Sequence, residues 1–143
     1  MKLIDLNLLL YAVDRGSPKH RAARAWLEAT LSGTETVALP WAVLIGFVRL
    51  STKPAIFAKP LSAEDALDIV DGWLAQSVVT IVAPGSRHSD VLRELLADLG
   101  TAGNLVSDAH LAALAIEHGA ELCSCDSDFS RFPGLRWVDP LRA

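Results

Sequence analysis

Residues 104–118, NLVSDAHLAALAIEH, have the spacing of a helix that is apolar on nearly every side. Leu105, Val106, Ala109, Leu111, Ala112, Ala113, Leu114, Ala115 and Ile116 surround its axis, and such a helix is normally buried inside a larger fold. Its first turns nevertheless hold Asp108 and His110. A buried carboxylate is costly unless it is paired or holds a metal ion. Gly119 stops the helix just behind His118, as helix C-termini prefer. A short strand, 121–124, then runs into Asp126 and Asp128.

The other end of the chain supplies a partner. Residues 2–6, KLIDL, read as a strand with Asp5 at its tail. In an open parallel sheet, ligands gather outside the carboxyl ends of the strands. Asp5 and Asp126 are expected there, joined by Asp108 if its helix packs over that edge.

Between these ends, short strands alternate with long helices. Asn7 is read as the cap of a helix through Val13. Ser17-Pro18 opens a second helix to about Leu31, with Ala22, Ala25, Trp26 and Ala29 as its buried stripe and Lys19, His20, Arg21 and Arg24 on a basic face. A strand at 36–39 leads through Pro40 into an apolar helix, WAVLIGFVRL, with Gly46 at its middle. Glycine there costs about 1 kcal/mol relative to alanine, which close packing or room for a ligand would explain. The loop carrying Lys53, Pro54, Lys59 and Pro60 is the longest connection. Ser62 caps the next helix, whose buried side includes Ala66, Leu67, Ile69, Val70 and Trp73. Residues 78–82, VVTIV, read as a strand buried on both faces. A helix from Ser86 to about Leu99 follows, and a brief last strand spans 136–138. The pattern predicts one three-layer α/β domain over the 143 residues, with a mainly parallel central sheet flanked by helices.

Charge is uneven. Residues 1–60 carry a net +4 and residues 61–143 a net −8. A basic half beside clustered carboxylates suits a phosphate backbone held near a metal, although a merely lopsided solvated surface has the same arithmetic. No apolar run is long enough for a membrane span, and no signal-peptide pattern is seen. Cys123 and Cys125 share one short strand, where a disulfide between them is geometrically disfavoured. A reducing, cytoplasmic setting is therefore expected, with both thiols read as small core residues.

The main constellation is Asp5, Asp108 and Asp126. Magnesium and manganese take oxygen ligands, and three converging carboxylates repel one another without a cation. The competing reading gives each an ordinary local role in a turn or at a helix start. Asp128 is either a fourth ligand or a turn acceptor in DSDF. Asn7, Asn104, Ser107 and Thr101 are placed to hold water or phosphate, but each also suits capping or a turn. His110 is expected to pack or bond locally. His110 and His118 lack ligand partners at zinc-site spacing. There is no G-x-S-x-G elbow and no G-x-G-x-x-G or G-x-x-x-x-G-K phosphate loop.

The segments LIDLNLLLYAVD, HRAARAWLE and GNLVSDAHLAALAIEHGAELCSCDSDFSRFPGLRW resemble PIN-domain ribonucleases, specifically the VapC-type toxins of bacterial toxin–antitoxin pairs. The resemblance covers essentially the whole chain. It implies a parallel sheet flanked by helices, a homodimer, and Mg2+- or Mn2+-dependent cleavage of structured RNA such as tRNA or rRNA, which arrests translation. It also implies a VapB-type antitoxin seated over the site. By motif, Asp5 matches the first-strand aspartate, Asp108 the helix aspartate and Asp126 the aspartate after the fourth strand. One departure is Gly46, where the family usually has a glutamate. That points to a single ion, its shell completed by Asp128 or waters. Arg15, Lys19, Arg21, Arg24, Arg49 and Lys53 are candidate contacts for RNA or antitoxin. The alternative is a non-catalytic PIN scaffold that binds RNA or protein. A receiver-type phosphate acceptor is disfavoured because it needs a late lysine, and residues 61–143 contain none.

Overall fold

A computed structural model describes residues 1–100 and 102–142. Five strands form one sheet: β1 (Lys2–Ile4), β2 (Val37–Ala38), β3 (Val79–Thr80), β4 (Glu121–Cys123) and β5 (Trp137–Val138). Their order is β3-β2-β1-β4-β5, and every neighbouring pair is parallel. The chain builds outward from β1 to β3, then returns past β1 to add β4 and β5. The strand order therefore reverses between β1 and β4, which opens a crevice at their carboxyl ends.

Six helices make the crossovers: α1 (Leu6–Val13), α2 (His20–Leu31), α3 (Trp41–Ser51), α4 (Ala63–Leu74), α5 (His88–Leu96) and α6 (Val106–Glu117). Helix α1 packs on α2 and α3, and α3 on α4, whereas α5 packs on α6 and α6 on β4. Right-handed crossovers in opposite directions put the two groups on opposite faces of the sheet, which is the three-layer arrangement expected. The core is centred on Leu3, Ile4, Leu39, Leu44, Phe47, Leu114 and Leu122, each essentially without exposure. Five consecutive residues of α6, Leu111–Ala115, are buried, as its all-round apolar pattern requires. Among the described residues no helix is long and apolar enough to cross a membrane.

Several local expectations change. Asp5, not Asn7, caps α1, its carboxylate accepting from the Leu6 amide. Helix α2 begins at His20, because Ser17 and Pro18 are used in the preceding turn, where Ser17 Oγ accepts from Lys19 N. Its buried stripe is Ala23 and Leu27, with Trp26 half-buried and Ala22, Ala25 and Ala29 exposed. Burying Leu27 removes more apolar area from water than burying any alanine, and that fixes the helix phase. Strand β3 is an edge strand of two half-buried residues rather than a doubly buried run, and Ile81 beyond it is exposed. On α4, Leu67 is exposed too, while Ser62 caps the helix as expected through the Asp65 amide at 3.0 Å. The helix expected from Asn104 begins instead with a 3₁₀ turn, Gly103–Leu105, before α6.

Candidate active site

Asp5 leaves the end of β1 and is largely buried. One carboxylate oxygen accepts from Leu6 N at 2.7 Å, and the other from Ser124 Oγ at 2.7 Å and Asn7 Nδ2 at 3.3 Å. Ser124, fully buried just past β4, is the hub of this network. Its hydroxyl donates to Asp5 and accepts from Asn7 Nδ2 at 3.1 Å and from the Asp126 amide at 3.0 Å. Asn7 in turn accepts from Cys125 N at 3.3 Å. The tails of two neighbouring strands are thus cross-tied by side chains that the sequence separates by 119 positions.

Asp126 caps the 3₁₀ turn Ser127–Arg131, accepting from Asp128 N at 2.9 Å. Asp108 comes from the first turn of α6, the helix packed on β4. Carboxylate oxygens of Asp108, Asp126 and Asp128 all lie within 4.8 Å of one another. Asp5 stands beside this trio, with its oxygens already hydrogen-bonded. Among the described residues no cation pairs with Asp108, Asp126 or Asp5, and Asp128 has Arg131 at 3.6 Å. Burial raises the Asp108 pKa to about 6, helped by the negative charges of Asp126, Asp5 and Asp128. Burial also raises that of Asp5, opposed by the bonds from Ser124 and Leu6. An all-oxygen donor set with unbalanced negative charge fits a hard divalent cation.

A cleft of about 490 Å³ opens beside Asp5 and Asp108, lined also by Leu6, Gly46, Arg49, Leu92, Ser107 and His110. Gly46 faces Leu6, and a Cβ there would stand 2.8 Å from Leu6 Cδ2. That methyl is the end of a flexible side chain, so the glycine keeps both the Leu6 contact and the cleft open, and no carboxylate enters from α3. Val106 also lines this cleft and is exposed, as are Trp41 and Ile45 on α3.

These features match a known family along most of the chain: residues 2–135 match the PIN domain. This chain belongs to the PIN-domain family. Two curated relatives from Mycobacterium tuberculosis place it among the VapC ribonucleases. Ribonuclease VapC37 is 49% identical over 140 residues, covering 98% of this chain and 97% of the relative. Ribonuclease VapC33 of the same organism is 46% identical over 142 residues, covering 99% of each. Among solved structures, VapBC2 from Rickettsia felis, bound to a DNA fragment from its promoter, has a TM-score of 0.70 at 20% identity and covers 96% of each chain. Mycobacterium tuberculosis VapC20, described as a sarcin-ricin loop cleaving toxin, has a TM-score of 0.67 at 19% identity, covering 95% of this chain and 99% of that one. At those identities the two structures bear on the fold alone.

The basic candidates of this PIN domain are dispersed. Arg49 lines the cleft. Arg15 lines a separate cavity of about 450 Å³ with Phe57 and Lys59. Lys19 lies over the Tyr11 ring, 5.2 Å from its centroid, Arg24 pairs with Glu28 at 2.9 Å, and Arg21 and Lys53 are exposed. Asn104 is exposed in its 3₁₀ turn, and Thr101 lies outside the described residues. Cys123 and Cys125 are free, and burial raises their pKa to about 12 and about 11. His110 does not bond locally. Its Nδ1 lies 2.9 Å from Nε2 of His88 on α5, a contact between helices that spacing along one of them does not signal. Ser124 was equally hidden, since a serine at a strand end is commonplace, although its place two residues before Asp126 is a usable signal.

The raised Asp108 pKa has a measurable sign. The folded protein holds this proton up to about pH 6, whereas an unfolded chain releases it near the ordinary value of 3.8. Its contribution to stability is therefore full below that ordinary value and is lost as the pH rises through about 6. The melting temperature of metal-free protein, taken relative to the Asp108→Asn variant, is expected to fall across that window. A flat difference between about pH 4 and pH 7.5 would contradict it.

Proposed function

We propose that this PIN domain, one domain over residues 1–143, is a Mg2+- or Mn2+-dependent endoribonuclease toxin. It cuts structured cellular RNA, tRNA or rRNA, in the cytoplasm and thereby inhibits translation and growth. The observation that carries this reading is the convergence of Asp108, Asp126 and Asp128 within 4.8 Å beside Asp5, at the crevice where the strand order reverses. Asp5, Asp108 and Asp126 are the residues assigned to catalysis and to holding the ion. Asp128 is a further candidate ligand, and Asn7 orients Asp5 through the Ser124 network.

When bound, a divalent cation polarises the scissile phosphate and lowers the pKa of an attacking water. The chain's own residues then divide the remaining work. Asp108 and Asp126 supply negative charge from two different elements, α6 and the turn after β4. Asp5 is pinned by Ser124 and Leu6, so its geometry does not depend on the ion. Arg49 offers the cleft a positive group for a neighbouring phosphate. Arg15, Lys19, Arg21, Arg24 and Lys53 are assigned to more distant contacts with RNA or with the antitoxin.

A VapB-type antitoxin is the proposed partner, supported by the VapBC complex among the solved relatives. The exposed Val106 in the cleft lining, with the exposed Trp41 and Ile45 of α3, suits an apolar segment of it. A homodimer is proposed as the working form. Gly46 favours the alternative of a non-catalytic scaffold, since α3 contributes no carboxylate to the cleft.

Incubating the purified protein with total cellular RNA separates the two. Discrete fragments are expected with Mg2+ or Mn2+ and none with EDTA. RNA that is retained on the protein but never cut would select the scaffold.

A further inference from the structure

Glu117, His88 and His110 form a chain of hydrogen bonds that ends at the cleft. His88 Nδ1 lies 2.6 Å from Glu117 Oε2, and His88 Nε2 lies 2.9 Å from His110 Nδ1. The second Glu117 oxygen accepts from Gly85 N at 3.2 Å. The His88 and Glu117 side chains are only 12% and 10% exposed. His110 and Glu117 are two turns apart on α6, so they share a face, and His88 at the start of α5 bridges them. His110 lines the cleft together with Asp5 and Asp108. The core does not require this arrangement, because apolar side chains would fill the α5–α6 contact with no polar group to satisfy.

The proton order along the chain follows from the donors available. An ionised carboxylate only accepts, so His88 carries its hydrogen on Nδ1. In the neutral ring its Nε2 is then an acceptor, and His110 Nδ1 must donate to it. His110 Nε2 is left with a lone pair, and it has no hydrogen-bond partner among the described residues. We propose that Glu117 and His88 are positioning residues that lock His110 in the Nδ1–H form, so that its Nε2 accepts a hydrogen bond from a ribose 2′-hydroxyl of the RNA. A phosphate oxygen has no proton to give to a lone pair, and DNA lacks the hydroxyl. The proposal rests on the ribonuclease reading for its substrate, but the hydrogen-bond chain does not.

Two arms test these parts separately. In protein labelled with ¹⁵N-histidine, two-bond ¹⁵N–¹H correlations at about pH 7.5 report which ring nitrogen carries hydrogen. His110 is expected in the Nδ1–H form, and in His88→Phe, which keeps a ring in the space, it should move to Nε2–H. Finding Nε2–H in the unaltered protein would overturn the proposal whatever the enzyme does.

The second arm uses Asp126→Asn protein, chosen to bind without cutting, with a stem-loop RNA of about 20 nucleotides and the DNA of the same sequence. RNA is expected to bind roughly tenfold more tightly than DNA, and His110→Ala should erase that preference. His110→Gln, which keeps an acceptor near the Nε2 position, should restore part of it. An unchanged RNA preference in His110→Ala defeats the 2′-hydroxyl assignment. No RNA binding by either protein defeats the ribonuclease reading instead, and the tautomer result still stands.

Discussion

Replacing Asp108 by asparagine is expected to abolish RNA cleavage and, in the metal-free protein, to raise the melting temperature. The two effects have one cause. Asp108 sits half-buried against the negative charges of Asp126, Asp5 and Asp128, which together with burial lift its pKa to about 6. At neutral pH the ionised carboxylate is therefore an unfavourable feature of the fold. Asparagine keeps the shape and removes the charge, so the repulsion goes. The same change removes a ligand oxygen and the charge that attracts the cation. Cleavage is expected to fall roughly a thousandfold or more, and added Mn2+ should no longer raise the melting temperature. A variant that cuts RNA at half the normal rate, or that melts below the parent protein without metal, would show that the cluster has been assigned the wrong role. Such a trade of activity for stability marks a strained active site rather than a merely structural residue, which makes the pair of measurements more decisive than either alone.

Ser124→Ala is expected to damage both together. The hydroxyl is fully buried and serves three groups: Asp5 Oδ2, Asn7 Nδ2 and the Asp126 amide. Removing it leaves Asp5 with less hydrogen bonding in an apolar setting, where the cost is about 2–3 kcal/mol. For a domain of this size that is a fall of roughly 5–10 °C in Tm. Loss of an orienting contact behind a ligand typically lowers metal affinity or activity about 10–100-fold. Urea titration with cleavage assays in parallel checks both, and a variant indistinguishable from the parent would show that the strand tails are held by something else.

The parts of the fold that follow from composition of a single segment were legible in the sequence. An apolar helix with one early aspartate reads as buried, and α6 does pack on β4, which is the condition on which Asp108 was expected to join that edge. Asp5 and Asp126 followed from the rule that strand tails in a parallel sheet share one edge. Asp128 lies close to Asp108 and Asp126 on the 3₁₀ turn that follows Asp126, a geometry that an equal choice between ligand and turn acceptor had left open. The phase of α2 was misread because three alanines and one tryptophan were weighed above Leu27, which packing selected together with Ala23. Strand β3 was misread because an apolar run says nothing about whether its neighbours fill both sides. The His88–His110 and Ser124–Asp5 contacts were invisible for a different reason. Each joins residues whose separation of 22 or 119 positions carries no periodic signal, so only the packed chain reveals them.

The parallel pairing of β1 with β4 has a consequence for synthesis. Lys2, Leu3 and Ile4 align with Glu121, Leu122 and Cys123, so the first strand, which can pair early with β2, waits for almost the last one before its second neighbour exists. A nascent chain still threaded through the ribosome holds Asp5 apart from Ser124 and Asp126 until the final segment emerges. The candidate site, whichever RNA it acts on, is therefore assembled only once synthesis of the chain is nearly complete.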